Sequence, residues 1–354
     1  VAINQIRTNQ EGEVMLYYKV LVNGKSPYGG NLVWSLPKDG QPGEWHEVHG
    51  PLTPCYNGIH LTDQPAHWWV RGCTVYIVEA DGIIGSCDDT NDRKVVARRV
   101  RLLREATAED LIAGQIFTEG CHTVTSGMAI ARGNARVDAF GDATVRAFDN
   151  ATVVAYDNAT VIAYNKAQVN AHDNTQVTAY DDARVMACGN TLVVVSDDAT
   201  AIVRDDVTVK ALDNSKVEAF GNVRITASNN STVVAHNNTY VEASNNAKVS
   251  LYDKTQAIVY GNAKVVAYGN AKVNAHDSTQ VNAYDKTTIK AYDNALVVVS
   301  DNITIKASED AKVTTYDNAW VATYGSVQVT ARGDVTVTNN KINPDQTPKV
   351  LLNE

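Results

Sequence analysis

Residues 149–164 read DNATVVAYDNATVIAY, one eight-residue phrase written twice with a single change, Val154 against Ile162. The phrase recurs in variations through most of the chain. Cut at Thr125, the sequence falls into 27 octets in unbroken register to Asn340. The fifth position is Val in 21 octets and the seventh is Ala in 19. The third is mainly Ala, Thr, Ser or Val, while the fourth and sixth vary among Thr, Lys, Gln, Arg, Val, Asn and Glu. The first is usually Asp, Gly or Asn, and the second is most often Asn or Asp.

Small or apolar side chains at every second residue, bounded by Asp-Asn or Gly-Asn, read as a strand followed by a corner. Positions three, five and seven share one face, and positions four, six and eight share the other. A helix is excluded, because apolar residues spaced by two would wrap around all its faces. Asn, Asp and Gly supply the left-handed backbone of a two-residue corner. An identical repeat brings each strand into register with the one a full turn later, which favours a β-solenoid over hairpins. Six residues span ~20 Å, and a triangular coil with such sides encloses a lumen that Ala and Val do not fill. Two octets per coil, with two sheets face to face, suit these side chains better; three octets per coil is the alternative. The first choice predicts about thirteen coils and a rod of ~65 Å. Its core is expected to hold Val153, Val161, Val169, Val177, Val265, Val273 and Val281.

A longer repeat overlies the short one. The segment beginning NKAQVNAHDNTQVTAY at Asn165 returns as GNAKVNAHDSTQVNAY at Gly269, an offset of 104 residues or thirteen octets. Thirteen is odd, so with two octets per coil the copies fall on opposite sheets. Octets that survive such a displacement are equivalent building units, which counts against a binding surface confined to one face. The eighth position holds Tyr or Phe in thirteen octets and His in three more. Tyr156, Tyr164, Tyr180, Tyr252, Tyr260, Tyr268, Tyr284, Tyr292, Tyr316 and Tyr324 are therefore expected to form ladders along the edges of the rod. The pattern resembles, in kind, the short-period β-solenoids such as the pentapeptide- and hexapeptide-repeat proteins. Their catalytic residues do not carry over, because the period differs.

The repeat speaks against several chemistries. Calcium-binding nonapeptide solenoids need paired glycines and a nine-residue period. An ice-binding face needs a regular Thr-x-Thr array, and these outward positions are mixed. Residues 125–340 carry 23 Asp and Glu against 18 Lys and Arg, too even for a mimic of DNA. The net charge of −9 gives no reason to expect nucleic-acid binding. No apolar run is long enough to cross a membrane as a helix, and no secretory leader is visible. The expectation is a cytoplasmic or virion-associated protein without a cofactor or bound metal. The five cysteines are odd in number and form no CxxC pair. Reduced thiols are expected on that count, with Cys73–Cys87 or Cys55–Cys73 left open as a bridge.

Residues 1–106 differ in composition, holding four of the five Trp, six of the eight Pro and four of the eight His. This reads as a separate small head, α+β or β-rich, with strand-like runs at 13–22, 32–36, 74–80 and 94–103. Residues 107–124 form a link. In it TAEDLIAG (107–114) reads as a short helix capped by Thr107, with Asp110 at the capping-box position and Gly114 as its stop. This helix is expected to cover the open end of the solenoid. The octets then fill 125–340, and KINPDQTPKVLLNE (341–354) is a tail that either folds back as a cap or reaches a neighbour. EWHEVH (44–49) places His46 and His49 on opposite faces of an extended segment, a poor geometry for metal.

Four strings in the head carry a resemblance: YYKVL (17–21), CYNGIHLTDQPAHWW (55–69), VYIVEADG (75–82) and DRKVVARRVRLLRE (92–105). Together they resemble an uncharacterised domain of bacterial and phage proteins, often placed ahead of short repeats, which implies no established activity. The order of parts is also similar to the ADP-ribosyltransferase fold. That resemblance implies that Tyr18 or Lys19 and His60 line a nicotinamide pocket and that Glu79 orients the acceptor. Read alone, the same residues allow a plainer alternative, with Gly58–His60 a turn entering a strand and Trp68–Trp69 in the core.

The expected function is structural: a rigid solenoid rod that presents a small head and self-associates or joins a larger assembly, in a phage particle or a bacterial scaffold. An enzyme head on a stalk, or a recognition module using the aromatic edges, are the alternatives.

Overall fold

A computed structural model describes residues 16–54, 56–85, 94–340 and 349–352 of the 354-residue chain. Contacts divide the chain into two compact units, the first comprising residues 1–122 and 127–135, the second 123–126 and 136–354.

The first unit is built on an antiparallel half-barrel. Its six strands are β1 (Tyr18–Leu21), β2 (His46–Glu47), β3 (Ile59–Thr62), β4 (Thr74–Asp81), β5 (Lys94–Ala97) and β6 (Arg99–Glu105). Their spatial order is β2-β6-β4-β1-β3-β5. Leu21, Trp34, Ile59, Leu61, Tyr76, Val78, Val100 and Leu102 pack together as its core. The run expected over 13–22 is described from residue 16 on and is strand at Tyr18–Leu21; residues 13–15 lie outside the described part. The run at 32–36 is not a strand. Only Val33 makes a lone bridge, to Lys25, while Trp34 alone of this stretch turns fully into the core. The run at 94–103 is broken at Arg98, whose N–H bonds the Asp81 carbonyl and whose guanidinium donates to the carbonyls of Val48 and Gly50. Strand β3 and helix α1 (Pro65–Trp68) emerge from the stretch read as a turn and two core tryptophans. Trp69 is buried, but Trp68 is only half-buried.

Helix α2 (Ala108–Ala113) stands where the capping residues place it. The Thr107 hydroxyl accepts from the Asp110 N–H, and the Asp110 carboxylate accepts from the Thr107 N–H at 2.7 Å. At Gly114 a Cβ would lie 2.5 Å from the Pro65 ring, so glycine there permits close packing on α1 as well as ending α2. The chain continues into Ile116–Phe117, which pairs in parallel with Met128–Ala131.

The second unit is a β-solenoid with turns of about 16 residues. Strands of four to six residues alternate between two parallel sheets, and within the octets from Arg136 to Asn339 each pairs with the strand sixteen residues on, as Arg136 with Thr152 and Val145 with Val161. Two octets therefore make a coil, and three do not. The valines at 153, 161, 169, 177, 265, 273 and 281 are all at most 2% exposed. Strands Gln168–Ala171 and Lys272–Ala275, equivalent in the long repeat, lie in different sheets, as an odd displacement requires. From the tail, Lys349–Leu352 adds one more parallel strand beside Gln328–Ala331.

The corners explain the first position of the octet. From Gly133 to Gly333, the residue at every first position has a positive φ. A side chain there does a second job. The Asp157 carboxylate accepts from the Gly141 N–H one coil earlier at 3.0 Å, and Asp277, Asp285 and Asp293 repeat the contact with Gly261, Gly269 and Asp277. Asp thus combines tolerance of the left-handed region with a bond that ties adjacent coils. The second position adds a weaker amide ladder, as in Asn246 to Asn230 to Asn214 at 3.4 Å each.

Glu309 is the exception, a longer side chain at φ 62° that still accepts from the Asp293 N–H at 3.1 Å. Asp in its place keeps the acceptor and suits the left-handed backbone better. Glu309→Asp is expected to stabilise the solenoid by ~0.5 kcal/mol, whereas Asp157→Ala costs ~1–2 kcal/mol, as read from thermal unfolding.

Candidate functional site

The first unit encloses a cavity of about 530 Å³ above β1 and β3. Such a volume suits a small organic ligand. Its walls come from β1, β2, β3, the first residue of β5, the end of α1 and the 26–34 segment. Gly29 and Gly30, at φ 97° and 89°, give that segment two left-handed residues where it lines the cavity. Tyr28 holds it to α1 by donating its hydroxyl to the Trp68 carbonyl at 3.0 Å, with the two rings edge to face at 5.1 Å. Inside, Trp34 meets His46 edge to face at 5.0 Å, and His46 Nε2 accepts from the Ser35 N–H.

Lys19 lies within this aromatic enclosure. Its Nζ donates to the His60 carbonyl at 2.8 Å and stands 5.4 Å from the centre of the Trp34 ring. Burial pushes its ammonium down to about 8. Lys94 lies over the Trp68 ring at 3.9 Å. His60 is held below the ordinary imidazole range, first by burial and then by the charges of Lys19 and Lys94. The cavity is therefore a positively biased, aromatic-walled pocket.

Of the residues singled out in the sequence, Tyr18, Lys19 and His60 border this cavity and Glu79 does not. Alternation along β4 turns Glu79 away from Val78, which is in the core. Glu79 pairs across the sheet with Arg101, which donates to its carboxylate at 2.7 Å. Tyr18 is also committed elsewhere. Its hydroxyl is buried against the Asp110 carbonyl at 2.9 Å, and burial followed by the nearby Asp110 charge lifts its pKa to about 12. The arrangement implied by the ADP-ribosyltransferase resemblance, with a glutamate and a histidine facing one ligand, is not assembled.

Sequence reasoning missed Lys94, Trp34, Trp68 and Tyr28 as parts of one site. They lie far apart in the chain, and no local pattern links them. It also left the basic strand β6 without a purpose. Arg99 pairs with Asp81 and Arg101 with Glu79, and both guanidinium groups lie over the Trp45 ring at 4.2 and 4.8 Å. These cations hold the outer face of the sheet together.

The aromatic ladders form in segments. On one edge Phe140, Tyr156 and His172 stack, then Phe220, His236, Tyr252, Tyr268 and Tyr284. On the other, Phe148, Tyr164 and Tyr180 stack, then Tyr260, His276 and Tyr292. Ring centres are 4.5–5.2 Å apart, the spacing of neighbouring coils. Tyr316 and Tyr324 make no such stack, because the residues sixteen positions away are Ser300 and Arg332 for one and Ser308 and Asn340 for the other. Arg332 instead lies 5.7 Å from the Tyr316 ring. Cys73, Cys121 and Cys188 are free thiols; Cys55 and Cys87 fall outside the described residues. Among the described residues no cluster of His, Cys, Asp and Glu is suited to a metal ion, and no helix is long and apolar enough to cross a membrane. Compared with family models, with curated proteins and with solved structures, the chain matches none.

Proposed function

We propose that the protein is a structural spacer: a stiff β-solenoid of defined length on the same chain as a small head. The observation behind this reading is the uniformity of the corners, left-handed at every first position from Gly133 to Gly333. A binding or catalytic solenoid concentrates irregular loops and special residues at one place. Here no insertion interrupts the octets between Thr125 and Asn340, and the charged and large polar residues that vary lie at outward and corner positions. Stiffness follows from backbone ladders in both sheets, corner carboxylates bonded to the next coil, and stacked edge rings worth ~0.5–1.5 kcal/mol per pair. A spacer of this kind serves a larger assembly, whether of copies of this chain or of other components.

The test is to remove coils. Deleting residues 213–228, one full coil, joins equivalent corners and restores every core register. The variant is expected to fold with a melting temperature within a few degrees of the parent and to be shorter by ~4.8 Å, measured by small-angle scattering. Removing two and three coils should shorten it in proportion. A collapse in stability after loss of one coil would mean that particular octets have particular tasks, and the spacer reading would fall.

A further inference from the structure

We propose that the cavity of the first unit binds a small aromatic carboxylate, with the Lys19 ammonium pairing the carboxylate and the rings of Trp34 and Trp68 enclosing the aromatic group. The inference concerns the head alone and goes beyond the spacer reading. An ammonium has three donors. Among the described residues, that of Lys19 gives one to the His60 carbonyl, and burial is what lowers its pKa. A cation desolvated in this way is costly to keep unless an anion completes it. The walls supply the rest of the recognition, since flat rings set edge to face leave room for another planar group.

The charge count points to a monoanion. Lys94 is already engaged by Trp68, and His60 is held toward its neutral form. Among the described residues, Lys19 and Lys94 set against Glu47 give the lining a formal charge of one positive unit. Glu47 also borders the cavity and disfavours a more highly charged anion. A phosphate dianion would exceed that single positive charge. Tyr18 and His46 are held by hydrogen bonds of their own, and Tyr28 stands at the opening.

The experiment is calorimetric titration of the full chain with benzoate, 1-naphthoate and indole-3-acetate, and with 1-naphthylmethylamine and adenosine monophosphate as contrasts. At least one carboxylate is expected to saturate a single site below 1 mM, with the amine silent. Lys19→Met, which keeps the length of the side chain, should weaken carboxylate binding by roughly 10- to 100-fold. A second measurement needs no variant. The affinity of the parent protein should decline above pH about 8, approaching tenfold per pH unit as Lys19 loses its proton. Failure of all three carboxylates to bind at 5 mM, equal affinity in Lys19→Met, or an affinity flat from pH 7 to 10 would each overturn the proposal. Binding of adenosine monophosphate in preference to every carboxylate would overturn the assignment of the anion.

Discussion

Val233→Asp is expected to destabilise the solenoid by more than ~4 kcal/mol and to open it to protease near the altered coil. Val233 is fully buried in the strand Thr232–Ala235, between the strands at 216–221 and 248–251. Asp is close to Val in volume, so the cost is almost entirely that of charge. The buried side chains of this part of the solenoid are Val, Ala, Ile and Leu, with Ser and Thr hydroxyls at third positions such as Ser215, Ser231 and Thr239. The carboxylate must either take a proton or draw water between the sheets. Because each coil touches mainly its two neighbours, the damage should spread along the rod only as far as the lost pairing requires. Val233→Ala, which removes two methyls and adds no charge, should cost only ~1–2 kcal/mol. Thr226→Asp, at an exposed sixth position, should be nearly neutral. Far-UV circular dichroism melts and mass-spectrometric mapping of early cleavage sites measure both effects. Equal melts for Val233→Asp and Thr226→Asp would show that the assigned inner face is wrong.

The second large effect is expected at Asp110. Its side chain is only 10% exposed, ion-paired with Arg104 and bonded to both the N–H and the hydroxyl of Thr107. The Arg104 guanidinium, ahead of burial and the Thr107 bonds, determines its pKa, which is lowered to about 2 from an ordinary 3.8. A carboxyl with a depressed pKa in the folded state adds stability above its unfolded value and loses it as pH falls through the folded one. The contribution here is roughly 2 kcal/mol, complete above about pH 4 and fading toward pH 2. Asp110→Ala removes the carboxylate half of the capping box and the ion-pair partner of Arg104, for an expected loss of ~2–4 kcal/mol in the first unit. Four of the five tryptophans lie in that unit, so in a Trp320→Phe background their fluorescence reports its unfolding alone. The parent should show an acid limb between pH 4 and 2, and Asp110→Ala should lack most of it. An identical acid limb in both proteins would remove Asp110 from the account.

Both effects were legible in unequal measure. That Val233 faces inward follows from its place in the octet, since strict alternation leaves no other face for it. The capping role of Asp110 could be read from Thr107 three residues earlier, because a cap is a local device. Its pairing with Arg104 and the contact of Tyr18 with its carbonyl could not, since β1 lies some ninety residues away. Corner chemistry was half visible. Preference for Asp, Asn and Gly announced a left-handed residue, yet only the stacked coils show why Asp exceeds what a left-handed position alone demands.

The head shows the opposite balance. Its strand β3 and helix α1 carry no repeat to amplify a weak local signal, and the apolar stretch at 32–36 makes one bridge at Val33 and buries only Trp34. Lys19 was singled out for a role beside Glu79, but the sheet register gives Glu79 to Arg101 and gives Lys19 to an aromatic cavity.

What the sequence determined by itself is the solenoid: strand, corner and inner face, with a coil of two octets preferred to three until the strand pairing decided it. A repeat of period eight states one local preference many times, and side-chain size then favours the narrower of two ways of closing it. What only the tertiary structure decided is the pairing of residues that share no local pattern. The cavity around Lys19, the clamp at Asp110 and the carboxylate bonds from coil to coil depend on which backbones the packing brings within hydrogen-bond reach.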